Sequence, residues 1–193
     1  MVVAAAAGIC FYFSGRFVWL LAVAPLLCYL RLWLNMLDGM VALAGGTASV
    51  RGELLNDLPD RVSDILIFIG VAQSGLCAPA SGYGAAIMAL LAAYVGMTGQ
   101  ALAGRREYGG VMSKPWRMVA LQCGAYLALG LRLAAVGPWR GPTVLDWTCL
   151  MIMLGCLQTI FIRLRHILAA PQLRKTSAPA ASVKGGRDDQ QNA

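Results

Sequence analysis

Charged residues are scarce in this chain of 193 residues, of which only 13% are charged and 59% are hydrophobic. Soluble domains usually carry about 25% charged residues, so the deficit argues against a soluble globular protein. The formal net charge is nevertheless +7. Nucleic-acid binding is a poor explanation of that charge in a chain this apolar, and we interpret it mainly as a signal of membrane orientation.

Patterns of metal-binding and disulfide-forming residues are also absent. The chain has a single histidine, His166, and its six cysteines form neither a CxxC pair nor a cluster with that histidine. The pattern argues against a zinc site and against a disulfide framework. The cysteines lie singly in or beside apolar runs, which is typical of residues that pack between helices.

The N-terminus lacks the features of a secretory signal peptide. No basic residue precedes Arg16, and the apolar stretch Val2–Phe13 is followed by another apolar run rather than by a cleavage site. Val2–Phe13 is too short to span a bilayer. We interpret it as the second half of a first helix whose beginning lies upstream; a short helix packed into the bundle is the alternative.

Five longer apolar runs approach the length of about 20 residues that a helix needs to cross a bilayer. None shows the alternation of a barrel strand, and no internal repeat or second domain is evident. We predict an all-α membrane protein, a bundle of six transmembrane helices with the first one truncated, over residues 1–170. The five runs are Phe17–Leu34, Val62–Cys77, Tyr83–Ala103, Met118–Val136 and Val144–Ile162.

Basic residues indicate the orientation of this bundle in the membrane. They concentrate around residues 31–61, in the loop 104–117 and after the last apolar run. The positive-inside rule places these three regions in the cytoplasm. The tail 171–193 is polar and rich in proline, alanine and glycine, so we predict that it is disordered.

One polar stretch, LNMLDGMVALAGGTASVRGELLNDLPDRVSD, interrupts the apolar chain. Asn35 and Asp38 are three residues apart and share one helix face. Asn56 and Asp60 are four apart on the next helix, and Asp64 continues their face. Polar groups at membrane depth are costly and mark function. Oxygen ligands on two facing helices predict a site for a hard cation such as Mg²⁺ or Mn²⁺.

The same stretch resembles the signature of the CDP-alcohol phosphatidyltransferases, D-x2-D-G-x2-A-R-x8-G-x3-D-x3-D. All gap lengths are kept, and five of the eight signature positions agree. Asn35 and Asn56 stand at the first and third aspartate positions, and Leu43 stands at the arginine position. The matching positions are Asp38, Gly39, Ala42, Gly52 and Asp60.

The resemblance extends over roughly residues 17–168 and implies the six-helix fold of that family. The placing of the two asparagines in the signature resembles that of a bacterial branch of the family found in the inner membrane. The resemblance therefore implies that this protein lies in the inner membrane, with its active site facing the cytoplasm. Small residues along Tyr83–Ala103 favour close helix contact. That contact lies either within the bundle or in a homodimer.

The activity that the resemblance implies belongs to phospholipid biosynthesis. A phosphatidyl group passes from CDP-diacylglycerol to an acceptor alcohol, and CMP is released. Carried over residue by residue, Asp60 is the general base, while Asp38, Asn35 and Asn56 hold Mg²⁺ or Mn²⁺. The positions that the resemblance assigns to CDP are Gly39, Ala42 and Gly52.

The loop GRREYGGVMSKPWR, residues 104–117, concentrates basic residues on the predicted catalytic side. With the last helix it could hold a phosphorylated acceptor by charge-assisted hydrogen bonds; residues that only set the topology are the alternative. Glycerol 3-phosphate is the favoured acceptor, and inositol phosphate, serine or another alcohol remain open. The candidate ligands are Lys114, Arg105, Arg117 and Arg163.

The substitutions in the signature leave other functions open. Asparagine at two aspartate positions removes two negative charges, so divalent cations should bind more weakly. A catalytically degenerate member of the family that acts as a membrane scaffold is therefore the alternative. A small transporter ranks last, because it would need polar groups along several helices and a repeated half.

Overall fold

The computed structural model contains only helices in the part of the chain that it describes, residues 1–44, 50–103, 109–134 and 141–169. The predicted all-α class is thus confirmed over these residues, whereas the tail 171–193 and Arg105 lie outside them. The six helices are α1 (Val2–Phe13), α2 (Leu20–Ala44), α3 (Val50–Ala72), α4 (Pro79–Ala103), α5 (Lys114–Leu133) and α6 (Val144–Leu168).

Three of the described helices are long and apolar enough to cross a membrane. These spans are Leu20–Asp38 in α2, Pro79–Leu102 in α4 and the whole of α6. The sequence predicted five such spans. Helix α3 carries charged residues throughout its first half, and α5 is the shortest of the five long helices. The membrane class is confirmed at this level, while the complete set of six spans stays a prediction.

Helix boundaries depart from the apolar runs on both sides of α3. The helix begins at Val50, twelve residues before the apolar run does, so the polar stretch is itself helical on its α3 side. It ends at Ala72, so the predicted extension to Cys77 was wrong. Gly75 in the following turn has φ +70°, a conformation that glycine adopts readily and that ends helices.

The short helix α1 packs against α2 and α3, with Ala4, Ala7 and Phe11 fully buried. It crosses α3 at a pair of glycines, since a Cβ atom added to Gly70 would lie 2.1 Å from the carbonyl oxygen of Gly8. Such close approach of two backbones is possible only between small residues. The structure thus shows the packed short helix of the alternative interpretation; a segment upstream of it stays a prediction.

Helices α4 and α6 form the most extensive helix contact among the described residues. The small residues of α4 serve this internal packing, because Ala85, Ala89 and Ala92 are buried within the chain. One of the two roles expected of these residues is therefore found inside the bundle. The homodimer stays a prediction.

Candidate active site

Asp60 on α3 is the centre of a polar cluster between α2, α3 and the start of α5. Asn35 Nδ2 donates a hydrogen bond of 2.9 Å to Asp60 Oδ1. Arg31 Nη2 lies 3.5 Å from the same oxygen and donates to the Asp60 carbonyl at 3.0 Å. The Lys114 ammonium donates to Asp60 Oδ2. Both carboxylate oxygens of Asp60 therefore have donors, which come from two neighbouring helices.

Asp64 lies one turn deeper on α3 and is buried between two arginines. Arg31 Nη1 donates to Asp64 Oδ1 at 2.8 Å, and Arg117 Nη2 lies 3.4 Å from Asp64 Oδ2. All three side chains are at most 7% exposed. Removing one partner of a buried ion pair leaves an uncompensated charge and is strongly destabilising. Arg31 thus holds Asp60 and Asp64 together on one face of α3.

The cluster carries more positive than negative charge. Three cationic groups, those of Arg31, Lys114 and Arg117, surround the two carboxylates of Asp60 and Asp64. Burial lowers the pKa of Lys114, which precedes the predicted span of α5, and the ion pair with Asp60 opposes that effect. The surplus of positive charge lies on the α5 side, at Lys114 and Arg117, and favours an anion as a ligand there.

The asparagine at position 35 has a role that an aspartate could not fill. Its amide nitrogen donates to Asp60, whereas a carboxylate there would have no proton to donate and would repel Asp60. Asn35 is therefore a hydrogen-bond partner of Asp60 in this structure. Whether its carbonyl oxygen also binds metal stays a prediction.

Lys114 reaches Asp60 because the loop before α5 is fastened to α6. Gly110 has φ +110°, and a Cβ atom added to it would lie 2.5 Å from Thr159 Cγ2, so only glycine fits. The Met112 amide donates to Thr159 Oγ1 at 3.0 Å. The shape of the loop around Gly110 is thus explained by its contact with Thr159.

Arg163 fastens the same loop from the other side. Its guanidinium donates to the carbonyl oxygens of Gly109, at 2.9 Å, and of Ala92 on α4, at 2.6 Å. Arg163 is 8% exposed. These contacts make Arg163 an anchor between α4, α6 and the loop. Its predicted contact with an acceptor phosphate is not among them and stays a prediction.

The predicted metal ligands are only partly brought together. Asp38 follows Asn35 by one turn of α2 and is exposed, and no group of three or more His, Cys, Asp or Glu residues forms a metal cluster among the described residues. Mg²⁺ is commonly held by one or two carboxylates together with substrate phosphates. The oxygen donors of Asp38 and Asn35 fit that mode of binding. The side chains of Asn56, Gly39, Ala42 and Gly52 lie outside the described residues.

Sequence reasoning missed Arg31, which it treated only as a signal of orientation. Arg31 precedes Asn35 by four residues, so the two share a face of α2. This spacing of four residues from Asn35 could have indicated that Arg31 belongs to the polar site. Its partner Asp64 was noted as part of the acidic face, but not as half of a buried ion pair.

The chain is similar to two known proteins, one by sequence and one by structure. Escherichia coli inner membrane protein YnbA is 31% identical over 153 residues, which cover 77% of this chain and 71% of that protein. Mycobacterium tuberculosis phosphatidylinositol phosphate synthase, in a crystal structure with CDP-DAG bound, superposes with a TM-score of 0.68 at 20% sequence identity. That match covers 88% of this chain and 83% of the synthase. No model of a known protein family matches the chain.

Proposed function

This chain belongs to the family of the inner membrane protein YnbA and has the fold of a CDP-alcohol phosphatidyltransferase, and from this premise we propose that it makes a phospholipid. It transfers a phosphatidyl group from CDP-diacylglycerol to an acceptor alcohol and releases CMP. The observation that carries this proposal is Asp60, a partly exposed carboxylate held by Asn35 and Lys114 in the bundle.

Asp60 acts as the general base in this proposal. Its carboxylate takes the proton of the acceptor hydroxyl, and the oxygen of that hydroxyl attacks the phosphorus next to diacylglycerol. A new phosphorus–oxygen bond forms as the bond to CMP breaks. Asn35 orients the carboxylate by donating to Asp60 Oδ1, and Arg31 supports it from 3.5 Å away while donating to the Asp60 backbone carbonyl.

A divalent cation, Mg²⁺ or Mn²⁺, would neutralise the charge that builds on the departing CMP phosphate. Asp38, Asn35 and Asn56 would hold it together with the phosphates of the substrate. Asp60 is assigned no part in holding it, because the cations of Lys114 and Arg31 beside its carboxylate disfavour a metal ion there. The backbone at Gly39, Ala42 and Gly52 is proposed to lie against CDP.

The cationic side of the cluster favours a phosphorylated acceptor. Lys114 and Arg117 lie three residues apart at the start of α5, on one face of that helix. Arg117 Nε is buried and has no hydrogen-bond partner among the described residues. The guanidinium of Arg117 adds a positive charge close to Lys114, which favours a phosphate as the group bound at this end of α5. We propose glycerol 3-phosphate, with Arg105 and Arg163 completing the basic surroundings.

The proposed activity is tested by the release of CMP. Purified protein in lipid nanodiscs should release CMP from CDP-diacylglycerol in the presence of Mg²⁺ and glycerol 3-phosphate. Inositol phosphate and serine serve as competing acceptors in the same assay. Loss of CMP release with every acceptor and with both Mg²⁺ and Mn²⁺ would favour the alternative, a degenerate scaffold.

The proposed active site faces the cytoplasm, and the distribution of basic residues supports that orientation. Reporter proteins fused near Gly46, Gly110 and Ala180 should therefore be active in the cytoplasm. Fusions near Pro79 and Gly141 should report the opposite side of the membrane. A fusion near Gly110 on the outside would separate Lys114 from a cytoplasmic substrate and contradict the proposal.

A further inference from the structure

We propose that Lys114 is shared between Asp60 and the phosphate of the acceptor, so that binding of a phosphorylated acceptor frees Asp60 Oδ2 for the acceptor hydroxyl. This inference rests on the proposed function. It makes Lys114 a specificity-determining residue that discriminates against water and unphosphorylated alcohols.

The first observation is that both carboxylate oxygens of Asp60 already have donors. Oδ1 accepts from Asn35, with Arg31 Nη2 at 3.5 Å, and Oδ2 accepts from the Lys114 ammonium. A general base must be within hydrogen-bond reach of the hydroxyl that it deprotonates. Each carboxylate oxygen can accept more than one hydrogen bond, but an acceptor hydroxyl that approaches Oδ2 competes with the Lys114 ammonium for that oxygen.

Lys114 is the donor that is free to leave. Its side chain is 23% exposed, against 7% for Arg31, which is also bound to Asp64. A lysine ammonium on its flexible stem moves more easily than a guanidinium held by two partners. The ammonium of Lys114 has Asp60 as its hydrogen-bond partner among the described residues. Movement of Lys114 thus breaks one ion pair and leaves the buried ion pair between Arg31 and Asp64 intact.

A phosphate near the start of α5 would attract the Lys114 ammonium away from Asp60. A phosphate monoester carries a charge of about −1.5 to −2 at neutral pH, more than a single carboxylate does. Arg117 Nε, buried without a partner among the described residues, lies on the same helix face. The N-terminal end of a helix also favours negative charge. The acceptor thereby supplies the anion that replaces Asp60 as the partner of Lys114.

The consequence is protection of CDP-diacylglycerol against hydrolysis. Without a phosphorylated acceptor, Lys114 stays on Asp60 and competes with water for the oxygen that would deprotonate it. With the phosphate bound, the same displacement exposes the base and places the acceptor hydroxyl near it. The same movement of Lys114 thus binds the phosphate of the acceptor and frees Asp60 to deprotonate the acceptor hydroxyl.

The first experiment measures binding without turnover. The affinity of the full chain in nanodiscs for glycerol 3-phosphate is determined by calorimetry for wild type, Asp60→Asn, Lys114→Met and the double variant. Asp60→Asn should tighten binding about tenfold, because it frees a charged hydrogen-bond donor for the phosphate. This gain should vanish when Lys114 is also replaced. An unchanged affinity in Asp60→Asn would overturn the inference.

The second experiment measures CMP release with glycerol 3-phosphate, with glycerol and with water alone. Lys114→Met should slow the reaction with glycerol 3-phosphate and accelerate hydrolysis several-fold, because the base is then permanently accessible. Lys114→Gln should behave in the same way, which guards against a folding defect of one variant. Arg132→Met removes an exposed cation at the other end of α5 and should change neither rate.

The two experiments separate the inference from the function on which it rests. If wild type released no CMP with any acceptor, the proposed function would fail, and the binding experiment would still decide whether Lys114 is shared. If wild type were active but both Lys114 variants hydrolysed CDP-diacylglycerol no faster than wild type, the transferase would stand and the role of Lys114 would be rejected.

Discussion

Replacement of Asp60 by asparagine should reduce kcat for CMP release by about a hundredfold or more, the scale of general acid–base catalysis. Asparagine keeps the shape of the side chain and can still accept hydrogen bonds from its amide oxygen, but it cannot take a proton from the acceptor. The measurement is the initial rate of CMP release at saturating glycerol 3-phosphate. Because no metal ligand is removed, additional Mg²⁺ should not restore the rate.

A matched control is available one turn earlier on the same helix. Asp57→Asn removes one carboxylate that forms an ion pair with Arg61, with a shortest distance of 2.7 Å. We expect Asp57→Asn to lower the melting temperature, because this ion pair is largely buried, but to leave the rate per folded protein close to that of wild type. Thermal unfolding of both variants separates a loss of fold from a loss of chemistry. An Asp60→Asn protein as active as wild type would show that the base lies elsewhere.

Asp38→Ala should also abolish CMP release at low Mg²⁺, but for a different reason. It removes the one carboxylate among the three proposed metal ligands, so the cation should bind more weakly and the requirement for Mg²⁺ should rise. At a separation of about 4 Å, one charge contributes about 1 kcal/mol even with the screening of water. A titration of activity with Mg²⁺ or Mn²⁺ should therefore show partial recovery at high concentration.

Variants of Asn35 and Asn56 serve as comparisons in the titration of activity with Mg²⁺. Asn56→Asp adds a negative charge and should lower the concentration of Mg²⁺ that is needed. Asn35→Asp adds the same charge but also removes the donor that holds Asp60 Oδ1 at 2.9 Å. It should therefore gain metal affinity and lose rate. An Asp38→Ala protein that needs no more Mg²⁺ than wild type would remove Asp38 from the metal site.

The sequence was sufficient to predict the helices and the residues that share a helix face, because both follow from local patterns along the chain. Apolar runs of bilayer length require helices, because no other local structure satisfies the backbone in lipid, and the structure has helices at each of them. Helical spacing also placed Asp60 and Asp64 on one face of α3, and both lie in the polar cluster. The boundaries were less accurate, because α3 extends through charged residues that no apolar pattern detects.

The pairing of the charged residues was decided by the tertiary structure alone. Arg31 and Asp64 are 33 residues apart in the chain, and Lys114 and Asp60 are 54 apart. Side-chain spacing carries information only within one helix, whereas these partners meet through the packing of α2, α3 and α5. The sequence therefore identified Lys114 as a candidate for phosphate binding, but not as the present partner of Asp60.

Asn35 and Arg163 also show the difference between what the sequence indicates and what the tertiary structure decides. From the sequence alone, Asn35 was predicted to stand at an aspartate position of the signature that the chain resembles, and Arg163 to be a cation beside the predicted site. Only the fold decided that Asn35 donates to Asp60 and that Arg163 binds two backbone carbonyls, one of them 71 residues away. A side chain's donors and acceptors are known from its residue type, but the groups that they meet depend on how the helices pack.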